Sequence, residues 1–176
     1  QVDCNVISDG GLVGIVTDVG SNWATVRSII DDNSNVSAMV SKTSDTCIIA
    51  GDLRLVNEGK INLVKLTDAA DRVTAGDKVV TSDISDRYLP GILIGYISEI
   101  AMDSNNLTKS GYITPVVDFR HLREVLVIKN LKDTSGSDAL NRQAETETDM
   151  LVQTEGASQE TQTEAQTEAA TQESAQ

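Results

Sequence analysis

Few side chains in this sequence are of the kinds that do chemistry. Asp118 and His121 stand three apart in a chain with many serines, and Asp, His and Ser together are the set that activates a hydroxyl nucleophile. The spacing argues against it. Three apart puts both on one helical turn, and no serine lies in the Gly-framed motif that would present it to a substrate. His121 therefore reads as a surface histidine, and the chain as a non-enzyme without a cofactor. It is also the only histidine, and Cys4 and Cys47 lie far apart, so a metal site lacks ligands. The same two cysteines are too few for a disulfide framework. One bridge between them is possible, and two buried free thiols in strands is the blander alternative.

The formal charge of −13 is concentrated at one end. From Asp133 onward there are ten acidic residues and one base, Arg142, which leaves 17 acids and 13 bases before it. Residues 1–132 are thus only mildly acidic. They carry no cluster of Lys and Arg to follow a phosphate backbone, which excludes nucleic acid as a partner. No apolar run approaches the ~20 residues that a bilayer crossing needs.

Any element holding these side chains must be built from Val, Ile and Leu, because only five aromatic residues are present: Trp23, Tyr88, Tyr96, Tyr112 and Phe119. β-Branched side chains favour the pleated surface of a sheet. Leu12 to Val19 and Trp23 to Ile30 flank a Gly20-Ser21-Asn22 turn, a hairpin signal. Val36, Ala38 and Val40 then alternate with Ser37 and Met39, and Cys47 to Ala50 closes the group. Ile61 to Leu66, Lys78 to Thr81, Ile92 to Ile100 and Tyr112 to Val117 form a second group, with turns at Ala75 to Asp77, Leu89 to Gly91 and Asp103 to Asn106. In the Ile92 strand, Ile92, Ile94, Tyr96 and Ile100 are assigned to one face.

The expected fold class is all-β, with two small antiparallel barrel or sandwich lobes over 1–55 and 56–117. Asp118 to Glu124 has helix-like spacing of Phe119, Leu122 and Val125, with Asp118 as cap, so a short helical turn should precede a closing strand, 125–128, able to complete the first lobe. This junction occupies 118–132. Residues 133–176, rich in Glu, Gln, Thr, Ala and Ser, are expected to be a disordered acidic spacer, with a helix over 139–152 as the minority alternative. Gly10, Gly11, Gly14, Gly76, Asp77, Pro90, Gly91 and Gly95 read as architectural positions at turns and close backbone approaches. Phe119 and Leu122 read as seats for the last turn. Trp23, beside its turn, is the candidate interface anchor, although a core or barrel-rim Trp is the commoner case.

Five runs in order carry a resemblance. They are Asp9-Gly10-Gly11-Leu12-Val13-Gly14-Ile15-Val16, Asn33-Ser34-Asn35-Val36-Ser37-Ala38, Gly76-Asp77-Lys78-Val79-Val80-Thr81-Ser82, Pro90-Gly91-Ile92-Leu93-Ile94-Gly95 and Val117 through Ile128. Together they resemble the rod-shape family MreC over Val2 to about Ile128. Asp83 departs from it, standing where that family usually has Gly. The resemblance implies a non-catalytic scaffold of the bacterial cell-wall elongation machinery, on the extracytoplasmic face of the cell membrane. It implies homodimers or higher self-association, and contact with a class B penicillin-binding protein, MreD and MreB. The family's membrane anchor and dimerising coiled coil have no counterpart in these residues. Unpaired edges expected of the second lobe, Ile61 to Val117, are assigned to strand addition by a partner. The rival readings are a two-lobed serine protease-like enzyme and a cell-wall ligand-binding module. The shortage of aromatics to stack on sugar rings counts against the second.

Overall fold

The computed structural model describes residues 1–132 apart from 69, 105 and 106. The expected tail, 133–176, its alternative helix and the end of the Asp103 turn lie outside the described residues. Ten strands run in order: β1 (Asn5–Ser8), β2 (Gly11–Val19), β3 (Ala24–Ser28), β4 (Asn35–Val40), β5 (Thr46–Ala50), β6 (Ile61–Leu66), β7 (Lys78–Thr81), β8 (Leu93–Met102), β9 (Lys109–Pro115) and β10 (Leu126–Ile128). The all-β reading holds.

Six of these strands close on themselves. β4 pairs with β5, β5 with β6, β6 with β9, β9 with β8, β8 with β7 and β7 back with β4, every pair antiparallel. So small a barrel has room only for side chains inside. Val36, Ala38 and Val40, fully buried, alternate with the half-buried Ser37 and Met39, and meet Ile49, Leu63, Val79, Ile94 and Ile113. The remaining strands form an antiparallel sheet in the order β10-β1-β2-β3, joined to the barrel by one parallel pair, Gly11 with Leu93. This sheet has its own small core of Cys4, Val6, Val13, Val16 and Val117. Phe119 packs against both cores.

Local detail departs from the sequence reading in several places. The stretch 1–55 is divided between the two sheets, because β4 and β5 take their partners from β7 and β6. Their apolar faces match the interior those strands enclose. β1 was missed, being four residues long with Asn5 and Ser8 at its ends. A 3-10 helix, Leu53–Glu58, was also missed, although Asp52 accepts the Arg54 amide at its start and left-handed Gly59 ends it. The helical turn expected over 118–124 is a single turn: the His121 amide donates to Asp118 O at 3.2 Å. Beyond it Leu122 and Val125 are exposed, so of the three spaced apolar residues only Phe119 reaches a core. In β8 the register shifts between Ile97 and Glu99, and again opposite Val79 and Val80. The shift between Leu93 and Gly95 re-aims the side chains that follow it, so Ile97 points inward while Tyr96 is 42 % exposed.

Candidate functional site: the open N-terminal sheet

Closure of the barrel uses up its edges, so the second lobe does not offer the unpaired strands expected of it. Among the described residues the free edges belong to the N-terminal sheet, at β3 and β10. Its β2–β3 hairpin ends in Gly20 to Trp23, closed by the Gly20 amide donating to Trp23 O at 2.8 Å. The indole lies over Gly20. A Cβ there would come within 2.3 Å of the ring nitrogen, so only glycine admits the ring. Trp23 is thus seated on backbone while 55 % of it faces solvent, with exposed Val19 and Val26 on the same hairpin. Val26 pairs with Val16 and Val19 with Ala24, which continues the apolar face of the small core outward. A large aromatic that loses little freedom on contact suits a protein interface.

Besides the Gly11–Leu93 pair, a loop also holds the sheet to the barrel. Asn5, buried on β1, donates to Arg87 O at 3.0 Å and accepts the Leu89 amide at 2.7 Å. Asp3 pairs with Arg87 at 2.8 Å. From the barrel side Thr81 donates to Leu89 O at 2.6 Å and accepts the Ile92 amide at 2.8 Å. Lys132 donates to the carbonyls of Asp83 and Ser85. Asp83 is not in the left-handed region, so the conformation here does not require the glycine it replaces.

The motif glycines do not converge on one site. Gly10, Gly76 and Gly91 have positive φ at turns, while Gly11, Gly14 and Gly95 sit where a Cβ would strike neighbouring atoms. Asp77 accepts the Thr74 amide at 2.8 Å and so shapes the turn into β7. Pro90 precedes Gly91, whose amide donates to Thr81 O at 2.9 Å. These are architectural positions spread over the molecule. Leu122 is 40 % exposed and joins neither core cluster of the described residues.

Asp118 and His121 do meet, with Oδ2 2.7 Å from the ring Nδ1. That hydrogen bond, then the Arg120 amide, holds the Asp118 carboxyl below the usual carboxylate range. Both side chains are more than half exposed, within one turn at the surface. Water reaches the pair freely, so it lacks the excluded setting that makes such a dyad catalytic. A groove of about 190 Å³ beside it is lined by Lys60, Pro115, Val117, Phe119 and Arg120 among others. Its cations are engaged: Lys60 with Glu99 at 2.7 Å, and Arg120 with Asp118 at 3.8 Å. Cys4 and Cys47 are free thiols buried in separate cores.

Sequence reasoning singled out Trp23, which the structure leaves 55 % exposed, but missed the β10 edge and the Asn5 clamp. The first had a signal, the apolar run Val125 to Ile128 before Lys129. The second had none, since its partners are more than 80 positions away.

Comparison with known proteins agrees with this fold. Residues 1–129 match the family described as "Rod shape-determining protein MreC, barrel core". The "Cell shape-determining protein MreC" of Listeria monocytogenes is 31 % identical over 139 residues, 77 % of this chain and 46 % of the relative. The chain therefore spans less than half the length of that relative. The solved structure of MreC from Listeria monocytogenes superposes with a TM-score of 0.66 at 30 % identity, over 77 % of this chain and 65 % of that one. MreC in a complex with a penicillin-binding protein (PBP2) from Helicobacter pylori superposes with a TM-score of 0.55, over 72 % of this chain and 78 % of that one. At 18 % identity this last likeness speaks to fold alone.

Proposed function

Because the chain belongs to the MreC family of rod shape-determining proteins, we propose that it is a non-catalytic scaffold of the cell-wall elongation machinery, working outside the cytoplasm. In this reading it helps maintain and regulate cell shape by holding other proteins together and by associating with itself. Trp23 is the single observation that carries it: an exposed indole, seated on backbone, on a sheet with open edges beside a closed barrel. The partner favoured for this surface is a class B penicillin-binding protein, by analogy with the Helicobacter pylori complex. MreD and MreB complete the assembly by family resemblance, and membrane attachment belongs to the anchor of the full-length protein.

The test is a pull-down from solubilised bacterial membranes, with the full chain and its Trp23→Ala variant as baits. The parent should recover a penicillin-binding protein, and the variant should bind it about tenfold or more weakly, as loss of an aromatic hot spot does. A folded parent that recovers no elongation protein would sink the reading. Equal recovery by both baits would remove Trp23 from it.

A further inference from the structure

We propose that the outer edge of β10 is a second docking site, which takes an extended, acid-flanked apolar segment of a partner protein as an added strand of the N-terminal sheet.

Among the described residues β10 pairs with β1 alone, Asn5 to Ile128, Val6 to Val127 and Ile7 to Leu126. Its other edge is a row of backbone groups that an extended chain can complete. Apolar side chains line it on both faces. Val127 stands opposite fully buried Val6 and is 48 % exposed, so a residue placed beside it would extend the Val6, Val13 and Val16 cluster. Leu126, on the face of Ile7, is 69 % exposed.

Edges of this kind are usually guarded by a charge, a proline or a bulge. β3 is guarded in that way, by Arg27 within it and a register shift against β2. β10, Leu-Val-Ile, carries no guard. It is also held in place, because Ser8 Oγ donates to Glu124 O at 2.8 Å just before it.

The charges around it select the occupant. Between Phe119 and Lys132 the one acid is Glu124, against Arg120, Arg123, Lys129 and Lys132. Arg120 faces Asp118, and among the described residues Lys132 donates to carbonyls and meets no carboxylate. Arg123 and Lys129, which bracket the strand, are exposed and meet no carboxylate among the described residues. An incoming strand with apolar centre and acidic ends satisfies edge, faces and field together.

The experiment uses the full chain and a fluorescent synthetic peptide with a Val-Leu-Val centre and aspartates at both ends. Binding followed by anisotropy should saturate, and the β10 amide that faces away from β1 should exchange more slowly in the complex. Arg123→Glu with Lys129→Glu, both exposed and outside the strand, should weaken binding about tenfold and favour a peptide with lysines in place of the aspartates. Absence of saturable binding overturns the proposal, and so does unchanged affinity in the reversed-charge variant or no added protection of that β10 amide. A concentration-dependent dimer that buries β10 without binding peptide would also overturn it, assigning the edge to a second copy. Trp23→Ala should leave peptide binding intact, which separates this site from the hairpin surface.

Discussion

Lys109 Nζ lies 2.7 Å from Asp68 Oδ2, a buried ion pair that ties the first residue of β9 to the loop after β6. The same carboxylate accepts the Arg72 and Val73 amides at 2.9 and 3.1 Å, so one side chain folds the loop and fixes it to the barrel. Asp71, exposed, meets the same ammonium. Burial pushes the Asp68 carboxyl up, but the Lys109 ammonium and the two amides outweigh that and leave it below its usual range. Lys109 is held above the ordinary lysine value, first by Asp68 and then by Asp71.

Both shifts make stability depend on pH, in opposite directions. Asp68, depressed on folding, contributes fully above the ordinary carboxylate value of 3.8, and its contribution is lost as pH falls through its folded pKa. Lys109, raised on folding, contributes fully below 10.5, and its contribution is lost as pH rises through its folded pKa. Asp68→Asn should cost roughly 2 kcal/mol at neutral pH, less than breaking an isolated buried pair because Asp71 remains. Urea unfolding across pH checks this. The gap between parent and variant should shrink at the acid end, and a gap independent of pH would rule out the ion pair as its source.

Two neighbouring glycines should respond differently to alanine. At Gly14 a Cβ would fall 2.0 Å from Arg27 O, a backbone atom of the paired strand that cannot turn aside. Gly14→Ala should destabilise by about 2 kcal/mol, in the range of overpacking. Gly10, at φ +78 with nothing within 4 Å of its Cβ position, faces only the left-handed penalty. Gly10→Ala should cost about 1 kcal/mol. Chemical denaturation of both variants tests the order, and a reversal would contradict the close approach of β2 and β3.

The thiols should be silent in the folded protein. Burial pushes Cys47 up to about 12, so almost no thiolate forms near neutral pH. Cys4 is 2 % exposed. A disulfide-exchange reagent at mild alkaline pH should label both only at the rate of unfolding, and at once in denaturant. Rapid labelling of either thiol in the native state would show that its core opens locally.

Strand content was legible because the chain is written in Val, Ile and Leu between turn residues. Ile61–Leu66 and Lys78–Thr81 fall on the expected bounds, and the Val36, Ala38, Val40 alternation places its residues inside. Turn glycines were legible too, since φ is a local property. Trp23 could be singled out as the large aromatic beside a turn, but its exposure depends on the hairpin projecting beyond the core. Alternation groups Tyr96 with Ile94, but Tyr96 is exposed where Ile94 is buried, because a bulge is set by the partner strand and reverses the faces that alternation predicts.

The sequence by itself determined that the chain is all-β, where most strands lie and which faces of them are apolar, because those follow from side-chain type and a period of two. Tertiary structure decided which strands pair. Alternation says that a face must be covered and not by what, so the transfer of β4 and β5 to the barrel is invisible along the chain. From that closure follows the rest: among the described residues the barrel keeps no free edge, and β3 and β10 keep theirs. Backbone hydrogen bonds are identical in every strand, and only the count of neighbours in space tells an edge from an interior.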